Sequence, residues 1–156
     1  MPSLPTFVYG TLRAPEVLHA LLGRAPTSRP ALLSGYSRFS VCDACFPAVL
    51  PGAPDDTVDG LLLDGLSQRE ERALDYFEDE EYTRQPVSVS IEGGARRLEA
   101  QAYIWELRFE HLLDRETPWS FDEFRSRDLS WYLSDVCEPC RAEFDAAEKA
   151  GTLPSE

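Results

Sequence analysis

Two stretches of alternating apolar and polar residues, Val87 to Ile91 and Leu98 to Leu107, flank Gly93-Gly94, and no other feature constrains the fold as much. A period of two puts the apolar side chains of a strand on one face, and two such strands around a glycine pair predict a half-buried hairpin. Further short strands are predicted upstream. Thr6 to Tyr9 is β-prone and ends at Gly10, and Ala31 to Val41 is interrupted by Gly35. Phe46 to Leu50 is closed off by Pro51-Gly52-Ala53-Pro54, and Val58 to Leu66 carries Gly60 as an expected bulge.

Helical periodicity is confined to three places. Pro15 suits a helix's first turn, and Val17, Leu18, Leu21 and Leu22 repeat on one face up to Gly23. Ser67-Gln68-Arg69-Glu70 is a capping box that opens a helix burying Ala73, Leu74 and Phe77 and ending near Glu78. From Phe121 onward, Phe124, Leu129, Tyr132, Leu133 and Val136 predict one or two helices, and the tail from Gly151 is expected to fray. Many strands, few helices and no β-α rhythm indicate an α+β domain on a mixed or barrel-like sheet. With 156 residues, 43% of them hydrophobic, the chain is expected to form a single domain over 1–156.

Charge narrows the partners. The net charge is -13, and it is unevenly placed: five acids and four bases through Gly60, 23 acids and 11 bases after it. Such a surface repels phosphate backbones and anionic lipid, so neither nucleic acid nor membrane is expected as a partner. Met1 to Thr6 does not resemble a signal peptide and no apolar run reaches membrane-spanning length, which predicts a cytoplasmic protein. The cysteines form two pairs, Cys42-x-x-Cys45 and Cys137-x-x-Cys140, separated by 91 residues. Free thiols are the expectation, with a four-thiolate zinc site or a disulfide as the alternatives.

The sequence lacks a phosphate-binding glycine-lysine loop, a dinucleotide glycine triplet, an elbow serine and a His-Glu-x-x-His zinc motif. His19 and His111 are the two histidines, and neither sits beside a serine or cysteine that it could activate. Two features remain. In Val8-Tyr9-Gly10-Thr11-Leu12-Arg13 a strand passes through glycine into a turn, a geometry that brings backbone amides close to a ligand or else simply connects a strand to a helix. In Asp75 through Glu81 there are five carboxylates, most of them solvated faces. Glu78 is distinguished among them because it follows the core residue Phe77 at the carbonyl end of a helix, the alternative being an exposed acid cluster at a helix end. The helix dipole and the neighbouring acids both raise a carboxyl pKa there, as burial would.

Taken together, Val8-Tyr9-Gly10-Thr11-Leu12-Arg13, Phe46-Pro47-Ala48, Val58-Asp59-Gly60 and Leu74-Asp75-x-Phe77-Glu78-x-x-x-Tyr82-x-Arg84 resemble the gamma-glutamylcyclotransferase-like family, in its plant and fungal avirulence-induced-gene-like branch. The resemblance runs from about Phe7 to Trp105. It implies a small mixed barrel of five or six strands flanked by helices, covering about 5–109, with a helical extension at about 120–150. It implies substrate binding by Tyr9, Gly10, Thr11, Leu12 and Arg13 and proton transfer by Glu78, with no metal and no cofactor. Tyr82 and Arg84 are expected at the rim or in structural roles, and Phe46 stands where the family commonly has tyrosine. The implied reaction releases 5-oxoproline from a small gamma-glutamyl substrate. A gamma-glutamylamine cyclotransferase and a non-catalytic binding module on the same fold are the alternatives. A monomer or weak homodimer is expected.

Overall fold

The hairpin is the longest paired element of the computed structural model, which describes residues 4–153. β6 (Tyr82–Ile91) and β7 (Arg96–Trp105) pair antiparallel over ten positions, from Tyr82 opposite Trp105 to Ile91 opposite Arg96. Val87, Val89 and Ile91 of one strand meet Leu98, Ala100, Ala102 and Ile104 of the other in one apolar cluster. β6 starts at Tyr82, five residues before the alternation begins, so the end of the acidic stretch leads directly into a strand.

This hairpin belongs to a closed barrel with the strand order β1-β5-β2-β6-β7. β1 (Thr6–Val8) lies antiparallel to β5 (Thr57–Leu63) and parallel to β7, which closes the ring. β2 (Ser28–Ser34) joins β5 to β6, antiparallel to both. Phe7, Leu33, Val58, Leu62 and Val89 fill the interior. The expected bulge at Gly60 does not occur: the pairing of β5 with β2 passes through Ala31 opposite Gly60 without a slip. Glycine is needed there for close approach, since a Cβ would lie 2.3 Å from the Val8 carbonyl oxygen and 2.8 Å from the Phe7 ring. The strand also ends at Leu63 rather than at Leu66.

Gly35, at φ +82°, takes the chain out of the barrel. The predicted Ala31–Val41 strand is thereby split between two sheets. β3 (Tyr36–Val41) pairs with β4 (Pro47–Pro51) and with β8 (Leu113–Asp114) in a separate three-stranded sheet. Val41, Ala48 and Leu50 of this sheet pack on Trp105, a residue facing outward from the barrel.

Helices cover another outer side. α1 (Pro15–Leu22) has Pro15 at its first turn and Gly23 in the left-handed region as its stop. α2 (Gln68–Glu78) has the predicted capping box, with the Ser67 hydroxyl accepting from the Glu70 amide and Glu70 reaching back to the Ser67 amide. Residues 121–150 are helical throughout. α3 (Phe121–Glu123), α4 (Leu129–Tyr132) and α5 (Glu138–Ala150) are joined by π-turns at Phe124–Asp128 and Leu133–Cys137. Tyr132 and Cys137 are five residues apart and would diverge on a regular α-helix; the wider π-turn brings both onto the face that buries Phe124 and Phe144. At Gly151, the first residue of the tail expected to fray, the helix ends in a cap, and the tail beyond Leu153 lies outside the described residues. Gly151 adopts φ +71°, Thr152 donates to the Ala147 carbonyl at 2.9 Å, and Leu153 packs on the helical cluster. Residues 1–3, half of the Met1 to Thr6 segment read above, and residues 154–156 lie outside the described residues. Among the described residues no helix is long and apolar enough to cross a membrane.

Candidate active site

Three structural units meet around a cavity of about 1410 Å³: the end of β1 with its following turn, the carbonyl end of α2, and the inner face of the C-terminal helices. Tyr9, Gly10, Thr11 and Leu12 line it, and so does Glu78. The two sequence features singled out above therefore line the same cavity. Arg13 does not line the cavity. Its guanidinium stacks on the Phe121 ring at 4.5 Å and lies 3.7 Å from the Asp59 carboxylate, so its position is that of an anchor between β5 and α3.

The turn is held from below. Arg38, on β3, donates to the Tyr9 carbonyl at 2.9 Å, to the Asp59 carbonyl at 3.0 Å, and to the Asp59 carboxylate at 2.7 Å. Gly10 is required for the packing: a Cβ there would fall 2.7 Å from the Pro47 ring. Arg13 and Ala14 return hydrogen bonds to the carbonyls of Gly10 and Thr11, which closes the single 3₁₀ turn Thr11–Arg13. The first amides of such a turn have no partner inside it. The Thr11 hydroxyl lies 3.3 Å from the Tyr132 hydroxyl, which ties the turn to the C-terminal helices.

Glu78 is the last residue of α2, and the backbone turns sharply after it. Asp79 has φ +60° and ψ -155°, a conformation otherwise almost confined to glycine. The Glu78 carboxyl is pushed up from 4.5 to about 8, first by burial, then by the like charges of Asp75 and Glu81. Its charge is felt by four tyrosine hydroxyls: Tyr9 from the turn, Tyr82 on β6, Tyr103 on β7 and Tyr132 on α4. Burial, the largest cause in each, drives all four upward, so they remain neutral hydrogen-bond donors. Each is fixed. Tyr9 donates to the Tyr103 carbonyl at 2.5 Å, Tyr82 to the Pro47 carbonyl at 2.7 Å, and Tyr103 to the Asp75 carboxylate at 2.6 Å.

The remaining sequence candidates divide between the cavity and other parts of the fold. Arg84 pairs with Glu71 and with Asp75, the latter at 3.0 Å, in the structural role expected of it. Phe46 lines the cavity and packs against Tyr82 with ring centroids 6.5 Å apart. His19 and His111 are exposed. The four cysteines are free; Cys42, Cys45 and Cys140 line the cavity while Cys137 is buried behind it. Burial pushes the thiols of Cys45 and Cys137 up to about 12 and that of Cys140 to about 11, which keeps them protonated and poorly nucleophilic. Among the described residues no three of His, Cys, Asp or Glu gather as a metal site.

Residues 6–121 match the family described as gamma-glutamyl cyclotransferase, AIG2-like. The chain belongs to that family. AIG2-like protein C of Arabidopsis thaliana is 38% identical over 128 residues, 82% of this chain and 73% of that protein. AIG2-like protein D of the same plant is 34% identical over 128 residues, 81% of this chain and 82% of its own length. Among solved structures, a gamma-glutamyl cyclotransferase superposes with a TM-score of 0.60 at 12% identity, over 92% of this chain and 98% of that one. One from yeast, specific to glutathione, superposes with a TM-score of 0.58 at 14% identity, over 96% and 97%. At these identities the likeness is one of fold: the α+β barrel with its flanking helices is shared.

Sequence reasoning missed Asp75, Tyr103, Tyr132 and Arg38 as parts of this site. Asp75 stood three residues before Glu78, on the same side of the helix, and that spacing was the available signal. Tyr103 falls at an outward position of β7, where a large aromatic marks a second buried face.

Proposed function

We propose that the protein is a gamma-glutamylcyclotransferase in which Glu78 is the general acid and base. The reading rests on one observation above the others: a carboxyl raised to about 8 stands in the cavity wall beside the Tyr9–Leu12 turn, ringed by neutral tyrosines. A group with that pKa can both accept and return a proton near neutral pH.

In this reading the gamma-glutamyl part of the substrate lies on the Tyr9–Leu12 turn. Ionised Glu78 takes a proton from the substrate's α-ammonium. The freed amine attacks the γ-carbonyl carbon of the same molecule, forming the new C–N bond of 5-oxoproline. The amide C–N bond then breaks, and protonated Glu78 returns its proton to the departing amine. Atoms balance with no water consumed. Because attack is intramolecular, no enzyme nucleophile is needed, in keeping with thiols held protonated by burial. Amides of the turn or the Tyr132 hydroxyl, whose proton is not committed to a carbonyl or carboxylate, would steady the negative charge that develops on the carbonyl oxygen. The barrel (about 5–109) and the helical extension (about 120–150) act here as one domain, since both wall the cavity.

The test is an assay for 5-oxoproline on a panel of gamma-glutamyl amino acids, gamma-glutamyl-lysine and glutathione, with wild type beside Glu78→Gln. The expected result is product from at least one substrate with wild type and a loss of at least a hundredfold in the variant. Product from neither would leave the binding-module alternative. Equal product from both would remove Glu78 from the mechanism.

A further inference from the structure

We propose that Asp75 is a positioning residue for Glu78, clamped by Arg84 and Tyr103 so that its carboxylate stays fixed one helical turn before the glutamate on the cavity side of α2. The inference builds on the proposed role of Glu78. Both oxygens of Asp75 are engaged: Tyr103 donates to Oδ1 at 2.6 Å and Arg84 donates to Oδ2 at 3.0 Å. Arg84 is itself shared with Glu71 from the previous turn of the helix. A carboxylate holding two donors from two neighbouring strands of the barrel, β6 and β7, is fixed in place. Its geometry also ties the helix to the barrel wall at the point where Tyr9 reaches the Tyr103 carbonyl.

The consequence falls on Glu78. Residues three apart on a helix are neighbours, so the like charge of Asp75 opposes ionisation of Glu78. The groups facing Glu78 from the packed elements are the hydroxyls of Tyr9, Tyr82, Tyr103 and Tyr132 and the thiol of Cys140. None of these carries charge at neutral pH. The charges that reach Glu78 are those of Asp75 first and Glu81 second, both of its own sign. Asp75 thus sets how much proton affinity the glutamate has beyond what burial alone confers.

The experiment is a carboxyl titration of the free protein, labelled with ¹³C at glutamate side chains, in which the Glu78 resonance is identified by its loss in Glu78→Gln. The expected midpoint for wild type is about 8. Asp75→Asn should lower it by about one unit while leaving it above the ordinary range. Tyr103→Phe, which frees one oxygen of Asp75 to solvent but keeps its charge, should lower it by less. Glu80→Gln, a charge change that does not reach Glu78, should leave the midpoint where it is. Where kcat/KM is measurable, its acidic limb should shift with the midpoint in each variant. An unmoved midpoint in Asp75→Asn, or an equal shift in Glu80→Gln, would overturn the proposal. If Asp75→Asn does not fold, Tyr103→Phe decides, and no downward shift there overturns it. The titration needs no turnover, so it stands or falls separately from the cyclotransferase reading.

Discussion

The two ends of α2 carry the same kind of residue and do opposite things with it. At the amino end Glu70 and Glu71 are buried and paired: Glu70 closes the capping box and binds Arg24 at 2.7 Å, and Glu71 meets Arg84. The Arg24 hydrogen bond, the largest cause, holds the Glu70 carboxyl below the usual range. At the carbonyl end Glu78 sits among tyrosines with two like charges nearby, and its carboxyl is held at about 8. The helix dipole favours acids at the first end and opposes them at the second. An acid in this protein is therefore held ionised or held protonated toward neutral pH according to which end of the helix it occupies.

The largest effect that could break this contrast comes from exchanging the two losses. Glu78→Gln should lower cyclotransferase activity by about 10² to 10⁴ and leave the fold intact. Glu70→Ala should do the reverse: activity per folded molecule unchanged, stability reduced by about 1 to 3 kcal/mol through the lost cap and charged hydrogen bonds. Urea melts and initial rates on the same preparations check both. A Glu70 variant that retained its stability and lost its rate would erase the distinction.

The pH dependence sharpens the comparison. Glu78 releases its proton near 4.5 in the unfolded chain and near 8 in the folded one. Its contribution is therefore fully present below about pH 4.5 and declines as pH rises to about 8. Glu70, held low, contributes above its unfolded value and loses that contribution as pH falls through its folded one. Thermal melts between about pH 2 and 9 should show Glu78→Gln gaining on wild type as pH rises above about 4.5, whereas the deficit of Glu70→Ala should shrink as pH falls below about 4.5. In activity, kcat/KM should climb with pH up to about 8, since the base must be ionised in the free enzyme.

How much of this was legible in advance follows from the range of the forces involved. The capping box, Pro15, Gly23 and the alternation of Val87–Ile91 are local, and the elements they predict are present. The end of α2 at Glu78 was legible because apolar periodicity stops there. Gly60 was misread because a glycine within a strand gives the same signal for a bulge and for a backbone crossing, and only the proximity of Val8 separates them. The split at Gly35 depends on which sheet each half joins, which is a tertiary matter. The substrate-binding role of Arg13 is implied by the family resemblance, which carries no side-chain direction; in the fold its guanidinium stacks on Phe121. Tyr103 and Tyr132 come from segments far along the chain, and nothing near them in sequence points to Glu78.

The smallest expected effect concerns Asp79, where the two ends differ in backbone rather than charge. Ser67, before the amino end, has ordinary extended angles, whereas Asp79 after Glu78 is held at φ +60° and ψ -155°. A side chain in that region costs on the order of 1 kcal/mol, and glycine removes the cost. The conformation ends α2 immediately after Glu78 and leads into the turn Asp79–Glu81 before β6. Asp79→Gly should therefore raise stability by up to about 1 kcal/mol, a rise in Tm of roughly 2 to 4 °C for a chain of this size. It should also lower kcat by less than tenfold, because a looser joint lets the carboxyl wander from the cavity wall. Calorimetry and kcat at pH 8 measure both. A variant that melts lower than wild type would mean that the Asp79 side chain contributes more than its backbone costs, and the asymmetry would then be one of charge alone.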